Sequence, residues 1–321
     1  MAERLALDDV QANILSTVGI ARLMTGDLAG KTDVERAIEI AEGVGSPEVI
    51  RGYNNLATMN ASLGDLERAF ALYAEATGAA QRFGRVRALR WLEAERMSEL
   101  YWRGEWDQAL VLADGFVAQA EKGLPHHREV DARLTRARIR LARGEETALD
   151  DSALTLEFGR RVHDPQTLFP ALAFHARALL RDDPGLASEL AGELLERWAG
   201  AGLTFATFWL ADLAVVTTDL GRGDELASAC SSYLRIPSRW RDAALAVVGG
   251  DDLGAAQIYA EIGTRPDEAF ARERAAATLA ESKRLDEAEV ELNQALDFFR
   301  GVRASAYLRR AESFLAGLAA R

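Results

Sequence analysis

The stretch LGDLERA at residues 63–69 recurs along the chain in weaker copies, GEWDQA at residues 104–109 and GEE at residues 144–146. The glycines that mark these copies are spaced 40 residues apart. Self-similarity at a fixed period of this length is typical of solenoids, in which each repeat is one supersecondary unit that packs on its neighbours. The sequence therefore predicts a repeat array, an architecture that usually offers a surface to a partner.

The residues around the first copy predict two helices joined by a tight turn. Between residues 49 and 63, mainly apolar side chains fall at steps of three and four, the period of an amphipathic helix. After a break at Gly64 and Asp65, a second stripe begins at Ala69. Glycine fits a left-handed helix stop, and the aspartate can cap the next helix by accepting its free amide hydrogens. The pattern indicates an antiparallel helix hairpin.

Helical periodicity of this kind extends along the whole chain, and strand patterns are nearly absent. It predicts a single all-α domain over residues 1–321, with about eight antiparallel helix pairs and a lone C-terminal helix that caps the last apolar face. A loop insertion is expected near residues 26–33. The prolines fall at junctions and turns or in first helical turns, where a missing amide costs little. The predicted pairs span residues 4–44, 47–84, 86–122, 127–162, 166–200, 203–234, 237–262 and 266–300, and the cap spans residues 304–319.

The second pair carries the residues of a known repeat family. Its first helix contains YNNLA at residues 53–57, Gly64 stands in the turn, and Ala69, Tyr73 and Ala76 follow in its second helix. This arrangement resembles the tetratricopeptide repeat, in which small residues let the two helices approach closely. The resemblance implies a right-handed superhelical solenoid whose first helices line a concave groove.

The repeat length and the end of the chain extend this resemblance. A period near 40, together with the segments at residues 295–300 and 306–312, resembles the C-terminal repeat region of large bacterial signalling ATPases, adenylate or guanylate cyclase-type proteins and transcription regulators. No segment of this sequence resembles a cyclase, an ATPase or a DNA-binding domain, so none of those activities is expected. The resemblance implies a sensor or scaffold arm.

Composition argues against several classes of function. The chain is 49% hydrophobic and 27% charged, with a net charge of −12 and a pI near 5. General nucleic-acid binders and proteins of anionic membrane surfaces both need basic side chains, so neither partner is expected. One cysteine allows no disulfide within the chain, and no apolar run approaches the roughly 18 residues that span a bilayer. Acidic residues near the N-terminus do not suit a signal peptide, and we expect a soluble cytoplasmic protein.

No motif with its required context predicts catalysis, a metal site or a cofactor. The stretch GDLAGKT at residues 26–32 has three residues between its glycines, where a phosphate-binding loop needs four after a strand. We interpret it as an ordinary loop. The four histidines lack the spacing of a zinc site, and Cys230 is interpreted as a buried structural thiol. The sequence therefore predicts no catalytic residue and no bound metal.

The candidate binding residues lie on the first helices of the second to fourth pairs. In the resembled family, side chains at positions i, i+3, i+7, i+10 and i+11 of these helices line the groove. Aromatic and arginine side chains are frequent interface anchors, so the set suits a peptide. The competing interpretation is that the aromatic side chains fill the seams between repeats. The partner-binding candidates are Arg51, Asn54, Thr58, Trp91, Ser98, Tyr101, Trp102 and Arg138.

Two binding functions follow from these observations. The main hypothesis is a non-enzymatic protein–protein interaction scaffold that binds a peptide or protein segment in its concave groove. The alternative is a small-molecule-sensing regulatory arm of a signalling ATPase, cyclase or transcription regulator, with a catalytic module of the same signalling system as its partner. An open aromatic groove would favour the scaffold, and a deep polar pocket closed by both ends of the superhelix would favour the sensor.

Overall fold

The structure is a computed structural model that describes residues 7–124, 126–203 and 207–319. Every regular element in these three segments is an α-helix, and consecutive helices pack against each other. The all-α class is therefore confirmed, whereas the right-handed sense of the superhelix and the number of repeat pairs stay predictions. The helices are α1 (Asp8–Met24), α2 (Gly30–Gly43), α3 (Val49–Leu63), α4 (Leu66–Arg82), α5 (Val86–Arg103), α6 (Trp106–Glu121), α7 (Glu129–Arg143), α8 (Ala148–Val162), α9 (Pro165–Leu179), α10 (Pro184–Ala201), α11 (Trp209–Asp219), α12 (Gly223–Tyr233), α13 (Arg239–Val248), α14 (Asp252–Ile262), α15 (Arg265–Glu281), α16 (Leu285–Gly301) and α17 (Ser305–Ala319).

The loop expected near residues 26–33 is shorter than predicted: α1 ends at Met24, residues 25–29 form the connection, and α2 already begins at Gly30. The two helices cross where Gly19 meets Gly30. A Cβ atom added at Gly30 would lie 2.2 Å from the carbonyl oxygen of Gly19, so the close crossing requires glycine there. The second glycine of the GDLAGKT stretch therefore serves helix packing.

The turn predicted around Gly64 forms as expected. Gly64 ends α3 in the left-handed conformation at φ 84°, and the Asp65 carboxylate accepts a hydrogen bond of 3.1 Å from the backbone N–H of Arg68. Gly104 and Gly144 end α5 and α7 in the same conformation. The repeated glycine thus marks the end of the first helix in each copy of the motif.

The same three glycines lie where a later part of the chain packs back onto the earlier part. A Cβ atom at Gly64 would lie 2.8 Å from the Cβ of Arg239 in α13, and one at Gly104 would lie 3.0 Å from a ring carbon of Phe298 in α16. Gly144 lies against α17. Helices α3, α5 and α7 therefore contact α13, α15 and α17, each ten helices further along the chain. The chain therefore coils back on itself, and its second turn, α11–α17, rests on its first turn, α1–α10.

Hydrogen bonds join the two turns. The Trp240 indole N–H donates to the carbonyl oxygen of Ala61 at 2.7 Å, and the Ser238 hydroxyl donates to the carbonyl oxygen of Ser62 at 2.9 Å. Both acceptors lie near the end of α3, where the last carbonyls of a helix lack partners within it. Similar bonds join the end of α5 to the start of α15, and the end of α7 to the turn before α17.

Helix α17 covers apolar surface on both turns. The Tyr307 ring packs on Phe270 and Phe299, with centroids 4.7 and 5.8 Å apart. Phe314 and Leu315 are partly buried in the same cluster. Contacts with α7 as well as α16 place this helix where the predicted cap was expected.

Candidate functional site

The predicted binding residues lie on α3, α5 and α7 and separate into three environments. Arg51 and Asn54 line an open groove at the N-terminal end of the superhelix. Thr58, Ser98 and Trp102 line an enclosed chamber further in. Trp91 lines both the groove and the chamber. The third environment is the interior beyond the chamber, which contains Tyr101 and Arg138.

The open groove, called the N-terminal groove below, has a volume of about 890 Å³. It is formed by α1, α3, the turn before α5 and the first turns of α5. Asn13 donates a 2.7 Å hydrogen bond to Glu48 across one side of it. The Asn54 amide oxygen and the Trp91 indole N–H are buried without a hydrogen-bond partner in the described part of the chain, an unusual state for buried polar groups.

The N-terminal groove carries an excess of positive charge. Its charged lining residues are Glu48, Arg51, Arg85 and Arg87. The three arginines are exposed, and within the described segments their side chains make no ion pair or hydrogen bond. Sequence reasoning missed Arg85 and Arg87 because they lie at the start of α5, before the groove positions of the repeat pattern; the pair of arginines flanking a valine was the available signal.

The enclosed space, called the inner chamber, has a volume of about 180 Å³ and lies between the two turns. Its walls come from α1, α3, α4, α5, α7, α9, α11 and α13, so helices distant in the chain close it together. Eight of its 22 lining residues are aromatic, and aromatic surfaces bind apolar and aromatic groups. The aromatic wall includes Phe70, Tyr73, Trp91, Trp102, Phe208 and Trp240.

A cluster of charged side chains forms one side of the inner chamber. The Arg128 guanidinium binds the Glu95 carboxylate at 2.7 Å and the Asp131 carboxylate at 3.0 Å, and it lies 4.9 Å from the centre of the Trp91 ring. His127 packs on the same ring at 4.7 Å. Burial raises the pKa of Glu95, although the charge of Arg128 opposes this effect. The chamber therefore combines aromatic walls with one polar side.

Trp102 also packs between the two turns. Its ring centroid lies 6.1 Å from that of Phe70 in α4, 5.5 Å from Phe208 and 6.5 Å from Trp240 in α13. The side chain is nevertheless partly exposed to the chamber. It contributes both to the seam and to the chamber wall, so the two interpretations of this tryptophan are not exclusive. Its part in binding a partner stays a prediction.

Beyond the chamber, the space between the inner helices is occupied by the protein's own side chains and is called the filled interior. Arg138 and Arg177 both donate hydrogen bonds to the Asp212 carboxylate, which is 1% exposed. The Arg138 guanidinium also lies 5.9 Å from the Tyr101 ring centre. Burial acts to raise the pKa of Asp212, but the two guanidinium groups outweigh it and hold that pKa below its usual value. These candidates lie in a buried ionic network that leaves a partner little access.

The cysteine and histidine side chains have structural surroundings. Cys230 is buried, and burial raises the pKa of its thiol to about 11, so it is a poor source of thiolate. No group of three or more His, Cys, Asp or Glu side chains suited to a metal ion occurs in the described residues. His175 lies within α9 rather than at a helix end, and its Nδ1 lies 2.9 Å from the Ser152 hydroxyl. None of the described helices is both long and apolar enough to cross a bilayer.

Comparison with known proteins adds no further constraint. No protein-family model matches the chain, and no curated protein matches it. The tetratricopeptide-like character therefore depends on the sequence motifs and stays a prediction.

Proposed function

We propose that this chain is a non-enzymatic scaffold that receives a segment of a partner protein in the N-terminal groove. One observation carries the proposal: the groove and the inner chamber share Trp91 as a wall. We infer that a chain lying in the groove extends one side chain past Trp91 into the chamber. Tyr101 and Arg138 are left out of the proposed site, because their side chains are committed to the filled interior.

The volume of the inner chamber supports a peptide ligand with one anchor side chain. Pockets for small molecules usually enclose about 300–1,000 Å³. The chamber, with about 180 Å³, is smaller than this. At roughly 30 Å³ per water molecule, the chamber has room for about six waters, which suits a single bulky side chain. Anchor side chains that fill pockets of this kind dominate many interfaces.

A photo-crosslinking experiment tests the proposal. Val86 on the groove and Val111 on α6 are 75% and 71% exposed, which makes them matched positions for a photoreactive amino acid. We expect irradiation in native extract to join a partner protein to position 86 and not to position 111. Peptide mapping of the crosslink should identify one continuous segment of that partner. Absence of a crosslink at position 86, or equal crosslinking at both positions, would refute the proposed site.

The inner chamber favours a second candidate function, the binding of a small molecule that controls a catalytic module. Trp240 of the second turn closes a chamber whose other walls include Thr58 and Trp91 of the first turn. A compact ligand in the chamber would touch both turns and stabilise their contact. Metabolite screening by thermal shift tests this function: a compound that raises the Tm should lose its effect when Ser98→Leu fills the chamber. A signalling role and a cytoplasmic location remain proposals based on the repeat resemblance.

A further inference from the structure

The arginines of this protein are mostly paired, and the exceptions are informative. Arg128 and Arg138 bind carboxylates in the interior, and many surface arginines bind a glutamate or aspartate three or four residues away. Arg51, Arg85 and Arg87 have no such partner in the described residues, although the whole chain carries a net charge of −12. Carboxylates are abundant, yet the only one that lines this groove is Glu48, which accepts a hydrogen bond from Asn13 and pairs with none of the three arginines in the described residues. The unpaired guanidinium groups remain available to an external anion.

The three guanidinium groups surround one concave surface. Arg51 extends from α3 on one side, while Arg85 and Arg87 lie at the start of α5 on the other. Guanidinium groups bind carboxylates in a two-bond geometry, which makes arginine well suited to acidic side chains. Exposed Val86 lies between the two arginines, so apolar contact is available beside the charge. Trp91 lines both this charged surface and the aromatic chamber.

We propose that the N-terminal groove recognises an acidic segment of a partner protein that is followed or preceded by a bulky apolar residue. The Asp and Glu side chains of the partner bind Arg51, Arg85 and Arg87, and the apolar residue enters the inner chamber. Charge complementarity supports this occupant, because the groove lining is positive while the rest of the chain is strongly acidic. This inference rests on the proposed function and specifies the chemistry of its ligand.

A random-peptide display library panned on the full chain provides the probe. We expect enrichment of peptides with clustered Asp or Glu next to Trp, Phe or Leu. The best peptide is then synthesised with a fluorescent label, and its affinity is measured by anisotropy at several salt concentrations. Binding should weaken as NaCl rises, because salt screens exposed charges.

Two triple variants isolate the role of the groove arginines. The groove variant combines Arg51→Ala, Arg85→Ala and Arg87→Ala, and should bind the peptide about tenfold more weakly. The control variant removes the same charge elsewhere and should lose less than about twofold. Its positions are exposed, have no side-chain ion pair in the described residues and lie outside the groove; they are Arg68→Ala, Arg181→Ala and Arg235→Ala.

The apolar anchor is tested on the peptide as well as on the protein. Replacing the anchor residue of the peptide by Ala should weaken binding to the native chain by at least about tenfold. Ser98→Leu fills the chamber, so the two peptides should bind this variant equally. If that variant fails to fold, the peptide pair on the native chain still decides: equal affinities would overturn the anchor.

The outcomes separate this inference from the proposed function. The enriched peptides could lack an excess of acidic residues, bind equally to both triple variants and still compete with the crosslink at position 86. That result would overturn the acidic ligand and leave the scaffold function intact. Failure to enrich any peptide that competes for position 86, together with no crosslink there, would overturn both. Sedimentation measures whether the native chain self-associates. If it does, and only the groove variant loses this association, the groove binds a second copy of this chain and the inference is overturned.

Discussion

The N-terminal groove and the filled interior share α5 but differ in what covers them. Arg51 on α3 is exposed and has no side-chain partner in the described residues, whereas Arg138 on α7 is held by the buried carboxylate of Asp212. Both arginines occupy positions that the repeat pattern assigns to a concave surface. Around Arg138, α11 and α17 pack into that concavity, while around Arg51 it stays open.

This difference shows that the accessibility of a repeat surface depends on helices that are distant in the sequence. A local motif sets the two helices, the glycine turn and the side chains that face inward. Whether those side chains form a binding surface or a core depends on whether a helix about 160–175 residues later returns to cover them, as the contacts at Gly64 and Gly104 illustrate. The following experiments alter one region while the other serves as reference.

Deleting residues 304–321 should have the largest effect. It removes α17 and with it the packing of Tyr307 on Phe270 and Phe299, so that part of the filled interior becomes exposed. The loss should exceed that of one large core side chain, about 3–5 kcal/mol. We expect a lower Tm in calorimetry and aggregation in size-exclusion chromatography. A monomer with an unchanged Tm would contradict the capping role.

Arg138→Ala should be the next most disruptive change. It leaves Asp212 buried with only Arg177 as a cationic partner, and breaking a buried ion pair typically costs about 3–5 kcal/mol. Urea unfolding measures this loss. The matched control, Arg51→Ala in the groove, should change stability by no more than about 0.5 kcal/mol. Comparable losses in the two variants would mean that the groove is as tightly packed as the interior.

Gly64→Ala tests the contact between the two turns. Gly64 has a left-handed backbone conformation, and a Cβ added to it would lie 2.8 Å from the Cβ of Arg239. A left-handed residue with a Cβ costs roughly 1–2 kcal/mol, and overpacking adds about 1–3 kcal/mol. Gly84→Ala has the same backbone handedness and nothing within 4 Å, so it should show only the first cost. Equal unfolding midpoints for the two variants would show that the turns separate without strain.

Features that depend on neighbouring residues could be predicted well from the sequence. The glycine and aspartate of residues 64–65 form the expected helix stop and cap, and Pro47 and Pro237 lie between helices as expected. Pro170, expected in a first helical turn, lies inside α9 instead, because that helix already begins at Pro165. Pro125 lies outside the described residues. The loop expected near residues 26–33 is shorter than predicted, because two glycines 11 residues apart, Gly19 and Gly30, serve a helix crossing that composition alone does not distinguish from a turn.

Features that depend on the second turn could not be predicted. Arg138 pairs with Asp212, 74 residues away, and no local pattern links them. The same limitation applies to Trp102, whose ring meets Trp240 between the turns. Conversely, the unpaired state of Arg85 becomes visible only when every nearby carboxylate has been located in space. The candidate positions lie on α3, α5 and α7, but their accessibility is a property of the complete coil.

The smallest expected effect concerns the pH dependence of the filled interior, where two aspartates act in opposite directions. Burial raises the pKa of Asp267, reinforced by the charge of Asp212, although the Thr264 hydroxyl donates a 2.5 Å hydrogen bond to it and Arg138 and Arg177 act to lower its pKa. Its stabilising contribution is fully present below the unfolded aspartate pKa of about 3.9 and is lost as pH rises through the raised folded value. The depressed pKa of Asp212 gives the reverse: its contribution is present above about 3.9 and is lost as pH falls through the folded value.

Asp267→Asn removes one of these two contributions and keeps nearly the same shape. Because asparagine does not ionise, the variant should lose the decline in stability that Asp267 causes as pH rises above about 4, while the acid-side loss from Asp212 remains. Relative to the native protein, the variant should therefore gain stability from pH 4 towards pH 7, as measured by urea unfolding across that range. Asp182→Asn, at an exposed position in the turn before α10, should keep the native pH profile. A native-like profile for Asp267→Asn would mean that Arg138 and Arg177 already keep Asp267 ionised, and that the filled interior is a fully paired network in which two arginines balance two aspartates.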